Sequence, residues 1–255
     1  MLGSFGRSPR PTWNQFLMLP KTYRPVALLA VVIGALFFAF PNAVNATAAA
    51  SSGGCRLQEP QAFLKRTGFV KKGQLSPAHH ARAVRYRVEH YGSVAVEGQD
   101  LTTINAEPAP AQALGVRFMG LWVNVHKKIA PALRCVEKRI RKVCTKRKDQ
   151  YRPQALGGFR ETNSYRGGEI SNHLFGIAID IDSDRNPCCG CVSPWPDHPA
   201  CKGDVASVYE RTALPRCWVH AFERYGFYWL GRDPELRDTM HFEFLGNPDR
   251  IVVNF

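Results

Sequence analysis

Two short stretches of this sequence carry side chains suited to metal chemistry. The first, Ser171 to Asp182, reads SNHLFGIAIDID; the second, toward the C-terminus, ends DTMHFEF. In the first, Ile177, Ile179 and Ile181 alternate with Ala178, Asp180 and Asp182, the period-2 pattern of a strand with one apolar face. Gly176, just before the strand, permits a sharp backbone path that returns the preceding loop over the strand end. The imidazole of His173 then converges with the carboxylate of Asp180. In the second stretch Met240, Phe242 and Phe244 form an apolar face, leaving His241 and Glu243 on the other, with Asp238 three residues before His241. His173, Asp180 and His241 are three protein ligands, the number a catalytic zinc site takes, with a water in the open fourth position. Asp238 stands near enough to accept a proton from that water, and Glu243 is the alternative base. Any one of these histidines alone reads as an ordinary polar residue on a strand; the constellation reads as a site.

The motifs S-x-H-x-x-G-x-A-x-D, G-F-x-W-x-G and D-x-M-H-F-E, in this order, resemble those of the M15 peptidases. These are zinc D-alanyl-D-alanine carboxypeptidases and L-alanyl-D-glutamate endopeptidases that cut peptidoglycan stem peptides. The resemblance covers about Tyr151 to Phe244. It implies that His173, Asp180 and His241 hold Zn2+ and that Asp238, matched position for position, is the general base ahead of Glu243. It also implies an upstream arginine that polarises the scissile carbonyl. Arg166 in SYRGGEISNH fits that spacing best, with Arg160 in GGFR as its rival. Ser171 is placed to hydrogen-bond substrate, and Trp229 is either a pocket wall or plain core. The fold implied is α+β, a small antiparallel sheet flanked by helices, hedgehog/DD-peptidase-like. Two departures stand out: Leu230 replaces the glycine usual after the tryptophan, and a cysteine-rich insert, 183–203, follows Asp182. No H-E-x-x-H helix and no G-x-S-x-G elbow offers another hydrolase chemistry. The rival of a different class is a non-catalytic, zinc-containing domain that binds cell wall.

A chain of 255 residues accommodates one well-cored domain and a leader. Arg7, Arg10, Lys21 and Arg24 precede a continuously apolar run, Val26 to Phe40, with no acid among them. Fifteen apolar residues suit a signal-peptide core better than a span, which needs ~20. Cleavage near Ala46 is expected, with membrane anchoring through residues 26–40 as the alternative; either way the protein is exported. The formal charge is +13, of which the leader holds +4. Glu137 to Lys148, EKRIRKVCTKRK, reads as a basic helix face, solvated or drawn to an anionic wall. No nucleic-acid-binding motif accompanies it.

Residues 47–150 are expected to form a helical part packed on a catalytic core at 151–255. Gln61–Lys72 forms a short helix or strand. Ser76-Pro77 starts a helix that Gly92 stops near Tyr91, with His79, His80 and His90 on its surface. Gly98–Pro110 is a loop. Phe118 to about Val143 shows helical spacing around Pro131, which puts Met119, Leu121, Trp122 and Val125 in the core. Asp204–Tyr225 is largely helical up to Gly226, and strands at Phe227–Leu230 and Met240–Phe244 finish the sheet. All eight cysteines follow the leader, an even count that favours disulfides in an exported chain over a structural zinc in the CCxC cluster. Cys135 and Cys144, nine apart on a helix, face opposite ways and pair elsewhere.

Overall fold

The computed structural model describes residues 54–165 and 167–253. The leader, with its apolar run at 26–40, and Arg166 lie outside the described residues. Among the described residues no helix is long and apolar enough to cross a membrane. The architecture of the described residues is α+β: three helices and four small antiparallel sheets.

In chain order, β1 (Gly54–Cys55) is followed by two 3-10 turns, Ala62–Leu64 and Arg66–Gly68, and by the hairpin of β2 (Val70–Lys71) and β3 (Gln74–Leu75). Helix α1 (Pro77–Tyr91) begins at the Ser-Pro signal and ends at Gly92, whose φ of +97° no side-chain-bearing residue adopts easily. Next come β4 (Ala113–Phe118) and β5 (Leu121–His126), then α2 (Ala130–Val143) with Pro131 in its first turn. Strands β6 (Leu156–Gly157) and β7 (Ala178–Ile181) precede α3 (Arg216–Glu223), β8 (Phe227–Trp229), β9 (His241–Phe244) and β10 (Val252–Val253), which returns to pair with β1.

Two stretches expected to be helical are not. From Phe118 to His126 the chain is half of a hairpin, because Met119 and Gly120 take φ of +50° and +93°, the two-residue turn whose twist suits antiparallel strands. Phe118, Leu121, Trp122 and Val125 fit helical spacing, while Leu121, Val123 and Val125 fit strand alternation, so the turn decides. Trp122 is consequently 65 % exposed, its ring under the guanidinium of Arg117, rather than in the core. Between Asp204 and Tyr225 only Arg216–Glu223 is α-helix, preceded by one 3-10 turn at Val208–Arg211. The remaining backbone there bonds outward; the Ala213 N–H, for example, donates to the side chain of Asn186.

The sheet that matters for function is four-stranded, in the order β6-β7-β9-β8, with every pair antiparallel. Ile179 pairs with Phe242 on the core side, where Phe242 stacks on Phe222 of α3 at 4.1 Å between centroids. Val219, Phe222, Phe242 and Phe244 are fully buried. Such aromatic burial, at about 25 cal/mol per Å2, is the main force holding α3 to the sheet.

Four disulfides take all eight cysteines: Cys55–Cys135, Cys144–Cys217, Cys188–Cys191 and Cys189–Cys201. The first ties the interior of α2 to β1, and the second ties the residue that ends α2 to α3. Cys135 and Cys144 each find a distant partner, as their opposed directions on α2 require.

Candidate metal centre and its pocket

The register of β7 against β9 builds the centre. Asp180 lies directly across from His241, and Ala178 across from Glu243, so the polar residues of two strands sixty residues apart share one face. Gly157 on β6 is the other neighbour of Asp180. His173 arrives from the loop before β7. Tight turns from Ser171 to Leu174 and from His173 to Gly176 fold the loop back. Gly176 has φ +65°, and a side chain there would press on the backbone of His126.

The donor atoms converge. His173 Nε2 lies 3.1 Å from Asp180 Oδ2, and His241 Nδ1 lies 2.9 Å from Asp180 Oδ1. The two ring nitrogens are 3.1 Å apart, and one ligand atom from each of the three residues falls within 4.8 Å of the others. Both rings are oriented from behind. His173 Nδ1 donates to the Gly158 carbonyl at 2.6 Å, which leaves Nε2 with its lone pair facing inward. His241 has Glu243 Oε2 at 3.5 Å from Nε2, which turns Nδ1 inward. Glu243 in turn accepts from Asn172 Nδ2 at 2.5 Å. The rival base is therefore occupied with holding His241.

The electrostatics fit a cation. Burial opposes charge on Asp180, but the imidazoles of His173 and His241 outweigh it and hold the carboxyl well below the usual range. Burial keeps His173 neutral, the form a ligand needs. Burial also works against His241, yet Asp180 and Glu243 raise it to about 10, so a positive charge is favoured at this point. Two imidazole nitrogens and a carboxylate are a donor set that Zn2+ takes.

Asp238 sits beside these residues in the loop before β9. Burial pushes its carboxyl up to about 7, Asp180 adding to the rise while His241 and Arg160 pull against it. Its Oδ1 is buried without a hydrogen-bond partner. A pocket of about 500 Å3 brings Asp180, Asp238 and His241 together with Arg160, Tyr165 and Trp195. Arg160 is partly exposed, with Nη2 3.6 Å from Asp180 Oδ2, and its backbone N–H donates to the His173 carbonyl. It is the arginine that the described residues bring to the pocket.

Ser171 and Trp229 do not line that pocket. Ser171 is fully buried, and its hydroxyl accepts from the His173 N–H at 3.3 Å, so it shapes the ligand loop. Trp229 is fully buried too, its indole N–H donating to the Thr239 carbonyl at 2.9 Å, one residue past Asp238. Three contributors escaped the sequence reading. Tyr165 points a buried, unpartnered hydroxyl into the region of Asp180, Asp238 and Glu243. Asn172 lies between the two residues already singled out, but only the fold pairs it with Glu243. His80, expected on the surface of α1, is buried; its Nε2 accepts from the Ile170 N–H at 3.4 Å, just ahead of the ligand loop.

Cys188 and Cys191 also approach Asp238, but they are bonded to each other and offer no thiolate. A second pocket, about 510 Å3, lies between Lys65, Arg139, Arg224 and Arg232, and no cluster of metal-ligating side chains falls in it among the described residues.

Residues 165–244 match a family model described as D-alanyl-D-alanine carboxypeptidase, of the M15 peptidases. The match takes in His173, Asp180, Asp238 and His241; Arg160 lies five residues before it. Neither a curated protein nor a solved structure matches the chain.

Proposed function

We propose, from the match of residues 165–244 to a D-alanyl-D-alanine carboxypeptidase model, that this chain is a zinc-dependent peptidase of the M15 type that hydrolyses amide bonds in peptidoglycan stem peptides. The observation that carries the reading is the register-paired Asp180 and His241 closing with His173 on one point, beside a buried carboxylate. His173 Nε2, Asp180 and His241 Nδ1 would hold the metal, with Gly158 and Glu243 fixing the two rings. When bound, zinc polarises the scissile carbonyl and lowers the pKa of a coordinated water toward 7.

The remaining work belongs to the chain. Asp238 accepts the proton that the attacking water loses and delivers it to the amine nitrogen as the C–N bond breaks. In the metal-free protein burial raises this carboxyl to about 7, which makes it readier to take up a proton than an exposed aspartate. Arg160 offers its guanidinium to the carbonyl oxygen as negative charge develops there, a contribution of about 3 kcal/mol at comparable sites. Arg166, which sequence spacing favoured for this role, lies outside the described residues and stands as the rival. The four disulfides suit an exported protein, which is where such a substrate lies.

Mass spectrometry of purified muropeptides incubated with the zinc-loaded protein tests this reading and names the bond. Loss of one alanine from the C-terminus marks a carboxypeptidase, and a cut between L-Ala and D-Glu marks an endopeptidase. Zinc bound, wall material retained and no peptide cut would overturn the enzyme in favour of a wall-binding domain.

A further inference from the structure

The cysteine-rich insert is the main departure of this chain from the family pattern, and it packs against the residue assigned the proton transfer. Cys188 bridges Asp238 in antiparallel fashion. The Cys189 N–H donates to the Arg237 carbonyl at 3.3 Å and the Gly190 N–H to the Leu236 carbonyl at 2.6 Å. From the other side, the Thr239 N–H and hydroxyl donate to the Pro187 carbonyl at 3.0 and 2.9 Å. The two segments lie so close that a side chain at Gly190 would run into the carbonyl oxygens of Glu235 and Leu236.

The backbone thus held is strained. Arg237, immediately before Asp238, has φ +45°. That region is unfavourable for a residue with a side chain and persists only where its surroundings over-determine it. Its surroundings are the insert on one side and, on the other, the Asp233 and Leu230 carbonyls, which accept from the Arg237 and Asp238 N–H groups at 3.0 and 3.2 Å; Cys188–Cys191 closes the very turn that supplies two of the insert's bonds. The same segment also faces the pocket: Cys188, Cys191, Val192 and Trp195 line it together with Asp238 and His241.

We infer that the insert is a clamp on the loop carrying Asp238 and at the same time an apolar wall for the bound peptide. Gly190 and the Cys188–Cys191 pair are positioning residues that touch no reacting atom; Trp195 is a specificity contact. The catalytic consequences rest on the peptidase reading, whereas the clamp itself does not.

Hydrogen exchange on the full exported protein separates the two. In the wild type the amides of Gly190 and Thr239 are expected to be protected, and in Gly190→Ala, which leaves every cysteine in place, to lose protection together. With zinc content unchanged, Gly190→Ala and the double variant Cys188→Ser/Cys191→Ser should lower kcat at least tenfold with little change in KM. Trp195→Ala should raise KM several-fold at nearly constant kcat. A merely structural insert would lower stability without this split. Wild-type kcat in folded, zinc-loaded Gly190→Ala overturns the proposal, and so do Gly190 and Thr239 amides that exchange freely in the wild type. The wild-type exchange measurement decides the matter even if both variants fail to fold. If the wild type cuts no peptide, the peptidase reading falls and exchange alone judges the clamp.

Discussion

Replacing Asp238 by Asn keeps the size of the side chain, removes no ligand and deletes a charge that the fold tolerates poorly. In the metal-free protein the carboxyl rises from 3.8 to about 7, chiefly through burial. At 1.36 kcal/mol per pKa unit, the ionised form is disfavoured in the fold by roughly 4 kcal/mol relative to the unfolded chain. The sign follows from linkage. Below pH 3.8 both states are protonated and the penalty is absent; it grows between pH 4 and 7 and is complete above 7. Metal-free Asp238→Asn should therefore match the wild type at pH 3 and exceed it in stability by up to about 4 kcal/mol at pH 8. Urea denaturation at the two pH values, with chelator present, measures this. Zinc should narrow the gap, because a cation beside Asp238 favours its carboxylate. Activity moves the other way: the zinc stoichiometry stays, and peptide cleavage falls by ~10²–10⁴, the span of general-base catalysis. In the zinc-loaded wild type the acid limb of kcat/KM should lie at or below pH 7 and should vanish from the residual rate of the variant. A variant as active as the wild type would hand the base role to Glu243. A metal-free variant less stable than the wild type at pH 8 would refute the account of Asp238 as a charge held against the cost of burial.

Three other outcomes are expected. Arg160→Ala should cost ~10²–10³ in kcat with zinc retained, and Arg166→Ala much less; the reverse order would return the carbonyl contact to Arg166. Thiol titration of denatured, unreduced protein should find no free cysteine, and opening Cys144–Cys217, with partners 73 residues apart, should cost about 4 kcal/mol in the chain-entropy view. Burial, aided by Arg87 and Lys128 respectively, lowers His80 and His126 from 6.5 to about 4, so the unfolded chain binds their protons more readily. Stability from these groups is full above pH 6.5 and falls between 6.5 and 4, which a series of denaturation midpoints will reveal; a flat series would show both rings already solvated.

The sequence by itself determined the parts of the site whose logic is local. Alternation at Ile177–Asp182 and Met240–Phe244 assigned faces to two strands, and Gly176 marked the turn that brings His173 back, because side-chain direction in a strand follows from residue parity alone. The start and stop of α1 were legible for the same reason: proline and glycine act on their own backbone. Where two local patterns overlapped, at Phe118–His126, parity and helical spacing were both satisfied, and positive φ at Met119 and Gly120 chose the hairpin. Only the tertiary structure decided what depends on residues meeting across long separations. The pairing of Asp180 with His241 rather than a neighbour, the capture of Glu243 by Asn172 and the burial of His80 against the ligand loop are all matters of register and packing. Eight cysteines allow 105 pairings, and which four form depends on where α2, α3 and the insert come to rest. The contact of Pro187–Cys191 with Leu236–Thr239 is of the same kind. Nothing in the composition of either segment announces it, since its hydrogen bonds run between backbone groups that every residue possesses.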